Sequence, residues 1–303
     1  MRMAAGIRIA LAVAALALAA GCAGTGAGRG PHAARVPRVR HAPAPPEADS
    51  VTIALWRFDE NGGTRCGDAG PFRLTGTAGL DTHTDFGRFR SARVFQRGLV
   101  QSFAEVPFNP EMNSSRGFTV ETWVYLNSTS PYELQALAAR WTPVPNQQSW
   151  VLGVTGQHYS YPNVGTDSPG WFNTETLGFS PNHVVFIYQP AEAAGDKAYA
   201  STGELPLQRW VHVAVTLDSR SVRFWINGQP DAQFATLQTL RDSDAPLVMG
   251  NVFDTRRLTD FGGDLRVDET LPSPLTFYQL DGDLDEMRLS NAARRSFESL
   301  DSR

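Results

Sequence analysis

Residues 209–234 read RWVHVAVTLDSRSVRFWINGQPDAQF, and this stretch decides the fold. Val211, Val213, Val215 and Leu217 alternate with His212, Ala214 and Thr216, the period of two of a strand with one buried face. Asp218, Ser219, Arg220 and Ser221 supply turn chemistry, after which Val222, Phe224 and Ile226 resume the alternation. Asn227–Gly228 then tolerates positive φ at both central positions of a tight turn, the requirement of a type I′ hairpin. A third run, through Phe234, returns antiparallel. Three strands joined by short turns form a meander, and a meander must lay its apolar face on another sheet.

Outward from this meander the pattern repeats. Val51–Phe58 is strand-like, with turns at Asp59–Gly63 and Asp68–Gly70. Leu74–Ala78, Ala92–Phe95, Val100–Val106, Phe118–Val124, Trp150–Val154 and His183–Gln189 follow as further strands. Tyr132–Trp141 reads mostly as strand, although Leu134, Leu137 and Ala138 also fit a helical face. The one convincing helix is a short C-terminal stretch, Ala292–Leu300, opened by Ser290 or Asn291 as cap. Many short strands punctuated by turns predict an all-β sandwich over residues 50–303, with no internal repeat.

The 303 residues carry a formal charge of −4. Phosphate binding needs clustered excess positive charge, so this balance argues against a nucleic-acid partner. The N-terminus is processing signal rather than fold: Arg2 and Arg8 precede an apolar run, Ile9–Ala20, too short to span a bilayer comfortably. Ala19–Ala20–Gly21–Cys22 resembles the bacterial lipobox, in which the cysteine is lipidated and becomes the mature N-terminus. That resemblance implies a signal peptide over 1–21, a lipid anchor on Cys22 and a cell-envelope location; Ala23 after the cysteine fits the outer-membrane pattern of Gram-negative hosts. Residues 22–49 are rich in Gly, Ala, Pro and Arg without periodicity and predict a disordered tether. With Cys22 lipidated, Cys66 is the only other cysteine, so no internal disulfide forms and Cys66 is expected as a small buried apolar residue.

The landmarks fall in a familiar order: Trp56–Glu60, Asp68 and Gly70, Phe118–Val124, Trp210–Ala214, Phe224–Gly228, Met249–Gly250 and Gly282–Leu289. Together they resemble the laminin G-like domains of the concanavalin A-like lectin/glucanase superfamily. The resemblance implies a jelly-roll sandwich of two antiparallel sheets and a role in binding glycans or proteins. Two segments, Gln157–Asn182 and Asn251–Tyr278, are longer than the family's usual links, and variable loops on a rigid scaffold are where specificity lies.

In the first of these, Tyr159, Tyr161, Trp171 and Phe172 stand among Asn, Ser, Thr and Gly. Apolar sugar faces stack on aromatic rings and their hydroxyls need polar partners, so these four are the candidate ligand-binding residues; the alternative is that the rings pin the loop to the sandwich. The resemblance also implies a structural calcium near the terminal strands, with Asp59 and Asp285 as ligands and Glu60, Asn61 and Asp283 as further contributors. Calcium needs six to eight oxygens, and the competing role for Asp285 is capping backbone N–H groups or pairing with Arg57. The acids Asp254, Asp260, Asp264, Asp268 and Glu269 are interleaved with Arg256, Arg257 and Arg266 and read as a self-neutralised loop.

An enzyme reading rests on Asp281, Asp283 and Asp285, which alternate on one face of a strand about 6.6 Å apart. Retaining glycosidases hold their two carboxyls about 5–5.5 Å apart, and superfamily glucanases use Glu-x-Asp-x-Glu in mid-chain. Here all three are aspartate and the strand is terminal, so no catalytic residue is assigned. His212, alternating with buried valines, is expected as a hydrogen-bonded structural histidine. The function expected is therefore a non-catalytic envelope lipoprotein binding a glycan or a cell-surface protein; the alternatives are a structural envelope component and a degenerate glycoside hydrolase.

Overall fold

The structure is a computed structural model and describes residues 44–114, 117–142, 144, 146–157, 160–162, 171–173, 180–192, 195–252 and 278–297. In chain order the strands are β1 (Thr52–Trp56), β2 (Arg65–Cys66), β3 (Gly76–Ala78), β4 (His83–Phe86), β5 (Ser91–Phe95) and β6 (Ala104–Val106). A 3-10 turn, Pro110–Met112, precedes β7 (Phe118–Leu126), β8 (Leu134–Trp141), β9 (Gln148–Thr155), β10 (Ser160–Pro162), β11 (Trp171–Asn173) and β12 (His183–Tyr188). The remainder are β13 (Lys197–Glu204), β14 (Trp210–Leu217), β15 (Ser221–Ile226), β16 (Gln229–Ala235), β17 (Leu247–Met249) and β18 (Gly282–Ser290).

They form two antiparallel eight-stranded sheets, as a jelly roll requires. The first runs β16-β15-β14-β7-β18-β5-β4, with β1 also paired to β18; the second runs β13-β12-β9-β8-β17-β6-β3-β2. The quoted meander is β14-β15-β16, one edge of the first sheet. Its turn is as the sequence demands: Asn227 and Gly228 have φ of 51° and 74°. Val211, Val213, Val215 and Leu217 enter the core, while His212 faces outward. An aromatic spine ties the layers together: Phe118 of the first sheet lies 5.2 Å from Trp150 of the second, and Tyr199 of the second lies 5.2 Å from Phe234 of the first.

Three strands of the second sheet, β8, β9 and β12, are buried on both faces. Their outer face carries its own apolar cluster, including Leu134, Val151, Val185 and Ile187, joined by Val252 and Tyr278. Strand β8 accordingly settles the ambiguity at Tyr132–Trp141 in favour of a strand from Leu134. Cys66 is fully buried, and burial pushes its thiol up to about 11.

The expected C-terminal helix is corrected: residues 292–297 are not helical, and 298–300 lie outside the described residues. The backbone groups a helix would use are taken by the sheet. Thr119 Oγ1 donates to the Ala292 carbonyl at 2.6 Å and accepts from the Arg294 N–H at 3.0 Å. Upstream, Glu47 and Asp49 at the end of the expected tether are held on the sandwich. Arg57 donates to Glu47 at 2.8 Å, and Arg294 forks onto both Asp49 oxygens at 2.7 and 2.6 Å.

Candidate functional site

Strand β18 carries most of the chemistry. It pairs with β7 along its length, with β5 through its first residues and with β1 through its last. Strict alternation would put Leu284, Glu286 and Arg288 in the core. A bulge between Asp285 and Arg288, with Glu286 at φ 51°, shifts the parity by one, so Leu284, Met287 and Leu289 are the core residues instead. Arg288 thereby reaches the outer face.

Asp285 is fully buried. Its Oδ2 accepts the Phe89 N–H at 2.8 Å, and its Oδ1 is buried without a hydrogen-bond partner. Burial pushes the carboxyl up to about 7; the Phe89 N–H opposes the rise and the charge of Asp59 adds to it. Glu286, rather than Asp285, takes Arg57: both Glu286 oxygens lie 3.2 Å from Nη1. Burial nevertheless lifts Glu286 to about 8 against the pull of that guanidinium. Asp283 rises to about 6 through burial and through its neighbours Asp85 and Asp281.

Asp59 and Asp285 are thus close enough for one charge to raise the other, and both fall on the expected pole of the domain. They do not fit calcium by themselves. Asp59 accepts from the Ser91 N–H at 3.4 Å and meets Arg90 at 3.5 Å, and the neighbouring Phe58 carbonyl accepts the Ser91 hydroxyl at 3.0 Å. Among the described residues no group of three or more His, Cys, Asp or Glu side chains is gathered to hold a metal ion.

His212 fills its expected role and belongs to a network that sequence reasoning missed. Its Nε2 lies 2.9 Å from Glu121 Oε2, while Arg288 holds Glu121 Oε1 at 2.7 Å. Burial alone would raise Glu121; the hydrogen bond and charge of His212, then Arg288, outweigh it and hold the carboxyl below its ordinary value. Phe297 covers the imidazole at 5.5 Å between ring centres. A cavity of about 430 Å³ lies here between the 44–49 strap and the sheet, lined by Glu121, Trp123, His212 and Arg288 among others. The signal for part of this network was Glu121 and His212 at outward-facing positions of two alternating strands; Arg288 joins them only through the β18 bulge.

Of the expected ligand residues, Tyr159 lies outside the described residues. The others stand in a two-stranded hairpin, β10–β11, inserted between β9 and β12. Its register puts Tyr161 across from Phe172, Trp171 across from Pro162 and Ser160 across from Asn173. Cys22 and the acidic stretch from Asp254 to Glu269 also lie outside the described residues.

Comparison with known proteins agrees with this architecture. No curated protein matches the chain. Among solved structures, the binding domain of Paraclostridial Mosquitocidal Protein 1 superposes with a TM-score of 0.54 at 12% identity, covering 81% of this chain and 49% of that one. A botulinum neurotoxin type C structure, whose subject is cell entry through two ganglioside molecules, gives 0.52 at 12% identity over 81% of this chain and 49% of that one. The botulinum neurotoxin DC binding domain in complex with rat synaptotagmin II gives 0.51 at 10% identity over 81% and 49%. The chain spans about half the length of these structures, and at such identities they share its fold alone. A family model, the laminin G type described as the concanavalin A-like lectin/glucanases superfamily, matches residues 100–269, more than half of the chain; the chain belongs to that superfamily.

Proposed function

We propose that this chain is a non-catalytic binding domain of the cell envelope that recognises a glycan or a protein and is anchored through lipid on Cys22. The observation that carries the binding reading is the β10–β11 hairpin. Its pairing gathers Tyr161, Trp171 and Phe172 within two three-residue strands, with Ser160 and Asn173 as a polar pair beside them. Rings supply stacking surface for a sugar or an apolar side chain, and amide and hydroxyl groups fix its orientation. That the fold elsewhere serves ganglioside and synaptotagmin binding supports the same class of role.

Hydrolysis is disfavoured by the state of the β18 aspartates. A glycosidase needs two carboxyls facing one substrate, whereas Asp285 is sealed beneath the 87–90 turn: a Cβ on Gly87 would stand 2.7 Å from its Oδ2. Incubation of the detergent-solubilised chain with a β-glucan panel is expected to release no reducing ends. Turnover that disappears in Asp281→Asn would overturn the non-catalytic reading. For the anchor, Cys22→Ser should move the chain from the membrane to the soluble fraction on expression; unchanged membrane partition contradicts it.

A further inference from the structure

The outer face of an antiparallel sheet in a two-layer sandwich is ordinarily polar. In the first sheet it is aromatic. Trp210, Tyr125 and Asp283 are direct cross-strand partners on β14, β7 and β18 and therefore stand side by side on this face, about 5 Å apart from strand to strand. Their core-facing neighbours, Val211, Val124 and Leu284, confirm the parity. Trp210 and Tyr125 are half-buried, with ring centres 5.6 Å apart and planes tilted by 56°. Among the described residues neither the indole N–H of Trp210 nor the phenol of Tyr125 has a hydrogen-bond partner.

The adjacent ring on the same face shows what such a surface accepts. Trp123, two residues from Tyr125, already carries a cation: the Arg88 guanidinium lies over it at 5.0 Å. Tyr125 and Trp210 carry none. Beside them Asp283, half-buried, makes no hydrogen bond and no ion pair among the described residues, and its charged neighbours are Asp85 and Asp281. A half-desolvated carboxylate among like charges, with the Tyr125 ring beside it and Trp210 on the next strand, is complementary to an organic cation. It is equally hostile to an anionic sugar.

We propose that Trp210, Tyr125 and Asp283 form a second saccharide subsite, selective for a sugar bearing a free, protonated amine. The amine meets the Asp283 carboxylate while the pyranose ring and the ammonium lie against Tyr125 and Trp210. This proposal rests on the glycan form of the function above and gives it a substrate class. It lies on the first sheet, whereas β10–β11 is a separate two-stranded sheet, so the two sites separate by mutation.

Isothermal titration of the detergent-solubilised chain with fully de-N-acetylated chitotetraose and with its N-acetylated counterpart tests it. The free-amine oligomer is expected to bind about ten-fold or more tightly than the acetylated one, and to weaken as salt rises. Asp283→Asn should cost about ten-fold, and Trp210→Ala a similar factor, with both variants melting as cooperatively as the parent. Asp283→Asn keeps the volume of the side chain and decides the matter if Trp210→Ala fails to fold. Equal affinity for the two oligomers, or an unchanged affinity in Asp283→Asn, overturns the subsite; sensitivity to Trp171→Ala in that case leaves the hairpin reading standing. Absence of binding to any saccharide overturns both.

Discussion

Asp285 sits in an environment at odds with its chemistry. A carboxyl raised from 3.8 to about 7 by burial binds a proton in the folded state that the unfolded state has already released. Between these values the native protein holds more protons than the unfolded chain, so stability falls as pH rises. Glu286, raised from 4.5 to about 8, acts in the same direction over a slightly higher window. Thermal melts should therefore show the midpoint dropping by about 5 °C between pH 5 and pH 8. Asp285→Asn, which keeps an acceptor for the Phe89 N–H, should flatten that slope and gain about 1–2 kcal/mol at pH 8. Calcium should leave the melt of the parent unmoved; a rise that vanishes in Asp285→Asn would restore the metal role. Glu121 is the opposite case, a buried carboxylate kept charged by His212 and Arg288. Glu121→Gln strands the Arg288 guanidinium and should cost about 3 kcal/mol in denaturant melts, and an effect below about 1 kcal/mol would show that water already serves that pair.

Strands were legible to the degree that their two faces differ. Strands β7, β14 and β15 alternate cleanly between core and exterior, and their bounds fall close to the alternating residues. Strand β13 was not seen, because Lys197–Glu204 is built of Ala, Ser, Thr and Gly and has no apolar period. The β18 bulge was invisible for another reason. The choice between alternation and a parity shift depends on what β1, β5 and β7 offer on either side, and no local residue pattern states it. The C-terminal helix failed similarly: its local propensity was outbid by Thr119, a residue 173 positions earlier. One landmark was read for its place in the family order and proves to be steric. Gly250 has φ of 77°, and a Cβ there would stand 2.3 Å from the Phe95 ring. Gly250→Ala should therefore destabilise by about 2–4 kcal/mol, with urea midpoints as the measure; a cost near zero would mean that Phe95 has room to move.

At the scale of the molecule the two sheets have different outer faces, and this is where the sequence was least informative. Alternation identifies which residues leave the core but not what they meet outside it. The outer face of the second sheet is apolar and continues into Val252 and Tyr278, whereas the first sheet's carries the buried charge network, the 44–49 strap and the aromatic row ending at Trp210. The candidate residues of the β10–β11 hairpin were singled out because aromatic and small polar residues cluster within one long link. The row of Trp210, Tyr125 and Asp283 was not, since its members lie up to 158 positions apart and meet only through strand order. The meander that fixes the fold thus also supplies, through Trp210, part of a surface beyond the hairpin. The most direct test of the glycan-binding function is a glycan array probed with the parent chain and with a Tyr161→Ala/Trp171→Ala variant. Expected is binding of the parent to at least one saccharide class, lost or weakened about ten-fold in the variant; a parent that binds none, or a variant that binds as well, contradicts it.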